Sequence, residues 1–307
     1  MIAQPENLFD RIARNQRDSY LLIGTVVALI VILGYVLGAA MGNPTMGLGI
    51  AMIFALFQTA ISVTAGDSIL LALSGAKEIQ KSDNPVLFDV VAEMAVAGGI
   101  PMPKVFIIND NAPNAFATGR NPQNSDVAVT VGLLKRLDRE ELQAVIGHEM
   151  SHVRDNDVFF ATLMGVMVGS IALLCDFFGR FRMGESRDDD NRGNGLFIIL
   201  WILLSILAPI VAYIIQMAMS REREYLADAG SAELTRNPLA LASALEKISS
   251  DPETLTVANR ATQHLYIVNP LHDANEEKPS LFDTHPPTSE RIRILREMAH
   301  TMAKSTS

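Results

Sequence analysis

Residues 20–40, YLLIGTVVALIVILGYVLGAA, carry no charged side chain, and this run limits the possible folds more than any other feature. At about 1.5 Å rise per residue, roughly 20 such residues cross a hydrocarbon core of about 30 Å. The run reads as a transmembrane helix. The stretch before it is too long and too evenly charged for the start of a cleaved signal peptide. The run also exceeds the ~7–15 apolar residues of such a peptide, so a retained anchor is expected. Three further apolar runs follow, at 45–65, 158–175 and 196–219. The first and last of these are long enough to span. The middle one is borderline because Asp157 and Asp176 bracket it closely. Pro209 in the last predicts a kink, which spanning helices tolerate when neighbours satisfy the freed carbonyl.

Removing these runs leaves two polar segments, 66–157 and 220–307, and an Arg/Asp/Gly loop at 179–195 expected to be solvated and without chemistry. The mean hydropathy of +0.22 is high for a soluble chain. A net charge of −9 over 307 residues, with no clustered basic surface, argues against a nucleic-acid partner. The single cysteine, Cys175, excludes an internal disulfide framework and a thiolate zinc cluster.

In the first polar segment, Asp83 or Asn84 before Pro85 predicts a helix start, and Gly98-Gly99 predicts its end. Strand-like pieces follow at 104–108, 115–118 and 127–131, separated by turn-rich stretches. They predict a small sheet. Asp138, with Glu141 three residues on, predicts a capped helix reaching about Asn156. That helix carries AVIGHEMSHVRDN, residues 144–156.

Residues four apart share a helix face, so His148 and His152 can aim both imidazoles at one metal ion. Glu149, directly after the first histidine, falls where it can touch a metal-bound water without taking a coordination place. A catalytic zinc needs three protein ligands and one open position. Downstream, SREREYLADAG at 220–230 offers Glu222, Glu224 and Asp228. Glu224 and Asp228 lie one turn apart, so one can bind metal while the other fixes a ligand histidine. Glu222 faces elsewhere. The apolar runs between 158 and 219, read as a helical hairpin, would return the chain to the side of His152.

The motifs PNAFATGRNP, VTVGLL, ELQAVIGHEMSHVRDND, SREREYLADAGSAEL and DTHPPTSERI, in this order, resemble those of the HtpX-type membrane metalloproteases, kin of the CaaX prenyl proteases. The resemblance implies a gluzincin-type zinc endopeptidase with one Zn2+ per chain. His148, His152 and Glu224 would be the metal ligands and Glu149 the general base, leaving Asp228 to hold a ligand histidine. It further implies protein substrates, above all membrane proteins handled in quality control. Asn114, Ala115, Phe116 and Ala117 are candidates for a sheet edge on which an extended substrate adds as a strand, an ordinary internal strand being the other reading. His285, held in an extended or turn segment by Pro286-Pro287, is a candidate donor to the developing oxyanion. The remaining histidines, His264, His272 and His300, take no role.

The expected fold is a mainly α membrane protein of about four transmembrane helices with an α+β zincin-like domain containing a small sheet. Its parts would be two spans in 1–73, a sheet and HExxH helix in 74–157, a spanning hairpin in 158–219 and the Glu-bearing helix with a helical end in 220–307. Arg11, Arg14 and Arg17 precede the first run, whereas 41–44 carries no Lys or Arg. The positive-inside bias therefore predicts a cell (inner) membrane protein with its active site in the cytoplasm. A CaaX-type processing peptidase and a non-catalytic metal-binding scaffold are the rival readings, and the presence of Glu149 favours catalysis. The sequence sets no oligomeric state.

Overall fold

The computed structural model describes residues 8–40, 42–169, 221–256, 262–268 and 286–305. Helix α1 runs over Leu8–Ala40 and α2 over Pro44–Leu73. Gln16–Ala39 and Pro44–Leu73 are long and apolar enough to cross a membrane. Ile32, Tyr35, Ile53 and Phe57 lie exposed on them. Asn43 turns the chain between the two, its side chain accepting from Met46 N with Pro44 in the first helical turn. Small residues then let the backbones touch: a Cβ on Gly34 would lie 2.1 Å from Ala51 Cβ, and one on Gly47 would lie 2.2 Å from the Gly34 carbonyl oxygen.

Beyond the hairpin comes β1 (Ala76–Glu78), α3 (Pro85–Gly98), β2 (Lys104–Ile108), β3 (Ala115–Asn121) and β4 (Asn124–Thr130). The sheet is mixed, in the order β1-β2-β4-β3, with β2 parallel to β4 and the outer pairs antiparallel. This is the small sheet expected, with a short strand β1 added. Asn84 caps α3 through Leu87 N, and Gly99, at φ 63°, closes it in the left-handed region. The expected strand at 127–131 begins earlier and stops at Thr130. There the Thr130 side chain accepts from Leu133 N and starts the short helix α4, Val131–Arg136.

Helix α5, Arg139–Arg154, opens with the reciprocal capping box of Asp138 and Glu141. Asn156, at φ 63°, then redirects the chain into α6, Asp157–Leu163, which continues as a π-helical turn over Met164–Val168. Within that turn the Met167 carbonyl accepts from Gln58 Nε2 of α2 at 3.1 Å. The rest of this apolar run, all of 196–219, and with them Cys175, Pro209 and the 179–195 loop, lie outside the described residues. Two membrane-length helices, not four, are therefore seen among the described residues.

Three further helices follow among the described residues: α7 (Arg221–Thr235), α8 (Pro238–Ser249) and α9 (Thr288–Ser305). Leu87, Val91 and Met94 of α3, Val127 and Val129 of β4, Val145 and Ile146 of α5, and Leu241 and Leu245 of α8 share one core. Helices α5 and α7 meet closely at glycines. A Cβ on Gly230 would lie 2.3 Å from Ser151 Oγ, and Ser231 Oγ donates to the Ala144 carbonyl at 2.6 Å. This contact brings the HExxH face of α5 against the first turns of α7.

Candidate metal centre

On α5, the i, i+4 spacing brings the two imidazoles together with His148 Nε2 and His152 Nε2 3.3 Å apart. From α7, Glu224 reaches the same point, its two carboxylate oxygens 3.7 Å from the two Nε2 atoms. One ligand atom from each of the three residues lies within 4.8 Å of the others. Two nitrogens about 2.0–2.1 Å from a tetrahedral zinc stand roughly 3.3–3.4 Å apart. The group has that spacing.

The outer nitrogens give a second test of fit. His148 Nδ1 is 3.0 Å from Asp228 Oδ1, and His152 Nδ1 is 3.1 Å from Asp157 Oδ2. A carboxylate facing Nδ1 favours the proton there, which turns both Nε2 lone pairs toward each other and toward Glu224. Such a meeting of lone pairs and a carboxylate calls for a cation. Burial opposes charge on His152, but the Asp157 hydrogen bond and the charges of Glu224, Asp157 and Glu149 push it up to about 9. On His148 burial wins over the Asp228 hydrogen bond, and with the Arg291 charge it holds the imidazole below its usual range. Metal binding then releases a proton.

Glu149 is buried beside the three candidate ligands. Burial first, opposed by His152 and reinforced by Glu224, pushes its carboxyl up to about 7, and the Ala117 backbone N–H donates to it. That value suits a group that takes and gives a proton near neutrality. Ala117, Phe160, Ala161, Met164 and Leu265 line the cleft in front of it.

Asp228 is fixed in turn by Arg291 of α9, 1 % exposed, through Nε to Oδ2 at 2.9 Å and Nη2 to Oδ1 at 2.7 Å. Arg291 also donates to the Ile267 carbonyl at 2.8 Å and lies 3.4 Å from Glu224 Oε2. Burial works against the Asp228 charge, but the paired guanidinium holds its carboxyl below the usual range. Glu222 lies exposed on the same helix and outside the candidate ligand group.

Sequence reasoning missed Arg291, Asp157 and Arg223. Asp157 stands five residues past His152, inside the motif, where the adjoining apolar run masks it as a flanking charge. Arg291 stands inside DTHPPTSERI, six residues past His285, with no local signal that pairs it with Asp228. His285 and His272 lie outside the described residues, and His300 is exposed on α9. His264 is buried at the cleft, its Nε2 3.0 Å from the Ala161 carbonyl oxygen.

Ala115, Phe116 and Ala117 fall on β3, which is an edge of the sheet, and Asn114 directly precedes it. Part of that edge is already covered. The Ala115 carbonyl accepts from Ile267 N at 3.1 Å, Asn114 Nδ2 donates to the Val268 carbonyl, and Phe116 is buried edge-on to the Tyr266 ring. Ala117 is the one of the four that lines the cleft.

Comparison with known proteins agrees with this geometry. A model described as peptidase family M48 matches residues 81–299. Proteins named Protease HtpX homolog from Lactobacillus acidophilus and Lactiplantibacillus plantarum are each 44 % identical over 300 residues, covering 95 % of this chain and 100 % of theirs. One of that name from Listeria monocytogenes is 41 % identical over 304 residues, with the same coverage. A crystal structure of S. mikatae Ste24p shares the fold at a TM-score of 0.50 and 20 % identity, covering 94 % of this chain and 67 % of that one. With a family model across most of its length and full-length relatives above 40 % identity, the chain belongs to peptidase family M48 and is a metalloprotease.

Proposed function

We propose that the chain is a zinc endopeptidase holding one Zn2+ through His148, His152 and Glu224, with Glu149 as general base and Asp228 holding His148. The observation that carries this reading is the convergence of two Nε2 atoms and a carboxylate on one point, each Nδ1 backed by an aspartate. When bound, zinc supplies a Lewis acid that polarises the scissile carbonyl and lowers the pKa of water to about 7. Glu149 takes the proton of the attacking water and delivers it to the leaving amine. Ala117 N–H keeps the Glu149 carboxylate turned toward the cleft. An extended substrate would lie in the cleft in front of Glu149, beside Ala117 of β3.

We infer further that the substrates are membrane proteins, misfolded or damaged, cleaved on the cytoplasmic side of the inner membrane in quality control. Two membrane-length helices packed against the catalytic part support this, as does the cleft wall formed by α6, the start of the third apolar run. The four-span arrangement, with 158–175 and 196–219 as a second hairpin, belongs to the same proposal.

The test is a zinc assay beside casein cleavage, on the full-length protein in detergent. Glu149→Gln should keep about one zinc per chain and lose nearly all proteolysis. Glu224→Ala should lose zinc, whereas Glu222→Ala should keep it. Full activity in Glu149→Gln would remove the general-base assignment, and equal zinc in the two alanine variants would remove Glu224 as the third ligand.

A further inference from the structure

Each histidine of the centre is backed by a carboxylate, and each carboxylate by an arginine. Behind His148 stand Asp228 and Arg291, both buried within the catalytic part. Behind His152 the contacts lead elsewhere. Asp157 Oδ1 lies 3.9 Å from Arg223 Nε, and Arg223 Nη2 donates to Asp18 Oδ2 at 3.0 Å. Asp18 sits near the start of the membrane-length stretch of α1, 205 positions before Arg223.

Arg223 is held from a third direction, its guanidinium 4.5 Å from the centre of the Phe160 ring. The side chains of Arg223, Asp157 and Asp18 are 12 %, 11 % and 28 % exposed. Exposed ion pairs contribute little to stability. These are largely withdrawn from water, where screening is weaker and a lost partner leaves a charge unsatisfied. The 3.9 Å contact between Arg223 and Asp157 is an ion pair without a hydrogen bond, so its strength depends on where Asp18 and Phe160 hold the guanidinium.

We propose that Asp18, Arg223 and Asp157 act as positioning residues for His152, so that the seating of the first membrane helix sets how tightly the metal is held. This rests on the metal-centre reading above. Asp157 keeps the proton on His152 Nδ1 and the Nε2 lone pair aimed at the metal. Arg223 holds Asp157 in place beside His152. Asp18 fixes Arg223, and through it a membrane segment reaches the metal centre in three contacts.

The experiment measures zinc release from the full-length, zinc-loaded protein in detergent to an excess of a chromogenic chelator, with no substrate present. Loss of a carboxylate behind a ligand histidine typically costs about 10–100-fold in metal affinity, and Asp157→Asn should release zinc faster by that order. Asp18→Asn should accelerate release about 3- to 10-fold, the scale of a partly buried ion pair, and Asp18→Glu should restore most of the wild-type rate. Asp18→Asn should add nothing in an Asp157→Asn background, because it acts only through Asp157. It should multiply with Asp228→Asn, which acts on the other histidine. A merely structural role for Asp18 would multiply in both backgrounds. Wild-type release by Asp18→Asn, or equal multiplication in the two backgrounds, overturns the proposal. Wild-type zinc affinity in His148→Ala would overturn the metal-centre reading itself, and the proposal with it.

Discussion

Asp126 on β4 is buried where its charge is poorly hosted. Burial and then Asp67 push its carboxyl up to about 6, with Lys104 pulling the other way and Glu78 adding to the rise. A carboxyl whose pKa is higher in the folded chain than in the unfolded one contributes stability that is present below the unfolded value. That contribution is lost as pH rises through the folded value. Asp126→Asn should therefore stabilise the protein by on the order of 1–3 kcal/mol above about pH 6.5, and by little near pH 4. Thermal midpoints of the two proteins at pH 4 and pH 7.5 check this, and an equal gain at both values would reject it. His148, Glu149 and His152 are set by spacing along one helix, so a short motif names them. Arg291 is joined to Asp228 across 63 positions and Arg223 to Asp18 across 205. No local pattern encodes such pairs.

Among the elements, α5 was legible from end to end because its cap and its apolar stripe are both local. Strands β2, β3 and β4 were legible as β-branched and apolar runs between turns. The three-residue β1 and the six-residue α4 were not, since pairing with β2 fixes the first and the Thr130 side chain starts the second. The contact of α5 with α7 depends on glycines whose role appears only in the packing. Gly230→Val should force the helices apart, with an overpacking cost on the order of 1–3 kcal/mol. The rise in thermal midpoint on adding zinc should also shrink, because Glu224 moves away from the histidines while ligand stabilisation follows affinity. A lowered midpoint with an undiminished zinc response would mean that the helix spacing does not set the metal geometry.

For the whole molecule, the decisive expectation is sidedness. By the positive-inside bias, Arg11, Arg14 and Arg17 before the first apolar run and the uncharged turn at 41–44 predict a catalytic part in the cytoplasm, as proposed above. Four arginines in the 179–195 loop oppose export, but 196–219 is long enough to span, which favours the full second hairpin. On a Cys175→Ser background in intact cells, Ser186→Cys should react with an impermeant maleimide from outside and Ser289→Cys should not. Labelling of Ser289→Cys from outside would reverse the orientation of the active site. A shorter length scale then governs what the enzyme can reach. Only Asp155 and Asn156 separate α5 from α6, and Asn156 bends that joint into a fixed left-handed turn. The joint works as a ruler with no slack, setting the distance between the candidate metal centre and the start of the third apolar run. An extended polypeptide advances about 3.3–3.6 Å per residue, so the membrane-protein substrates proposed above would have to present a minimum tether of unravelled residues before any bond came level with Glu149. Lengthening the joint would lift Asp157 away from His152. Reach and metal grip are thus one dimension of the molecule, and neither can be adjusted without the other.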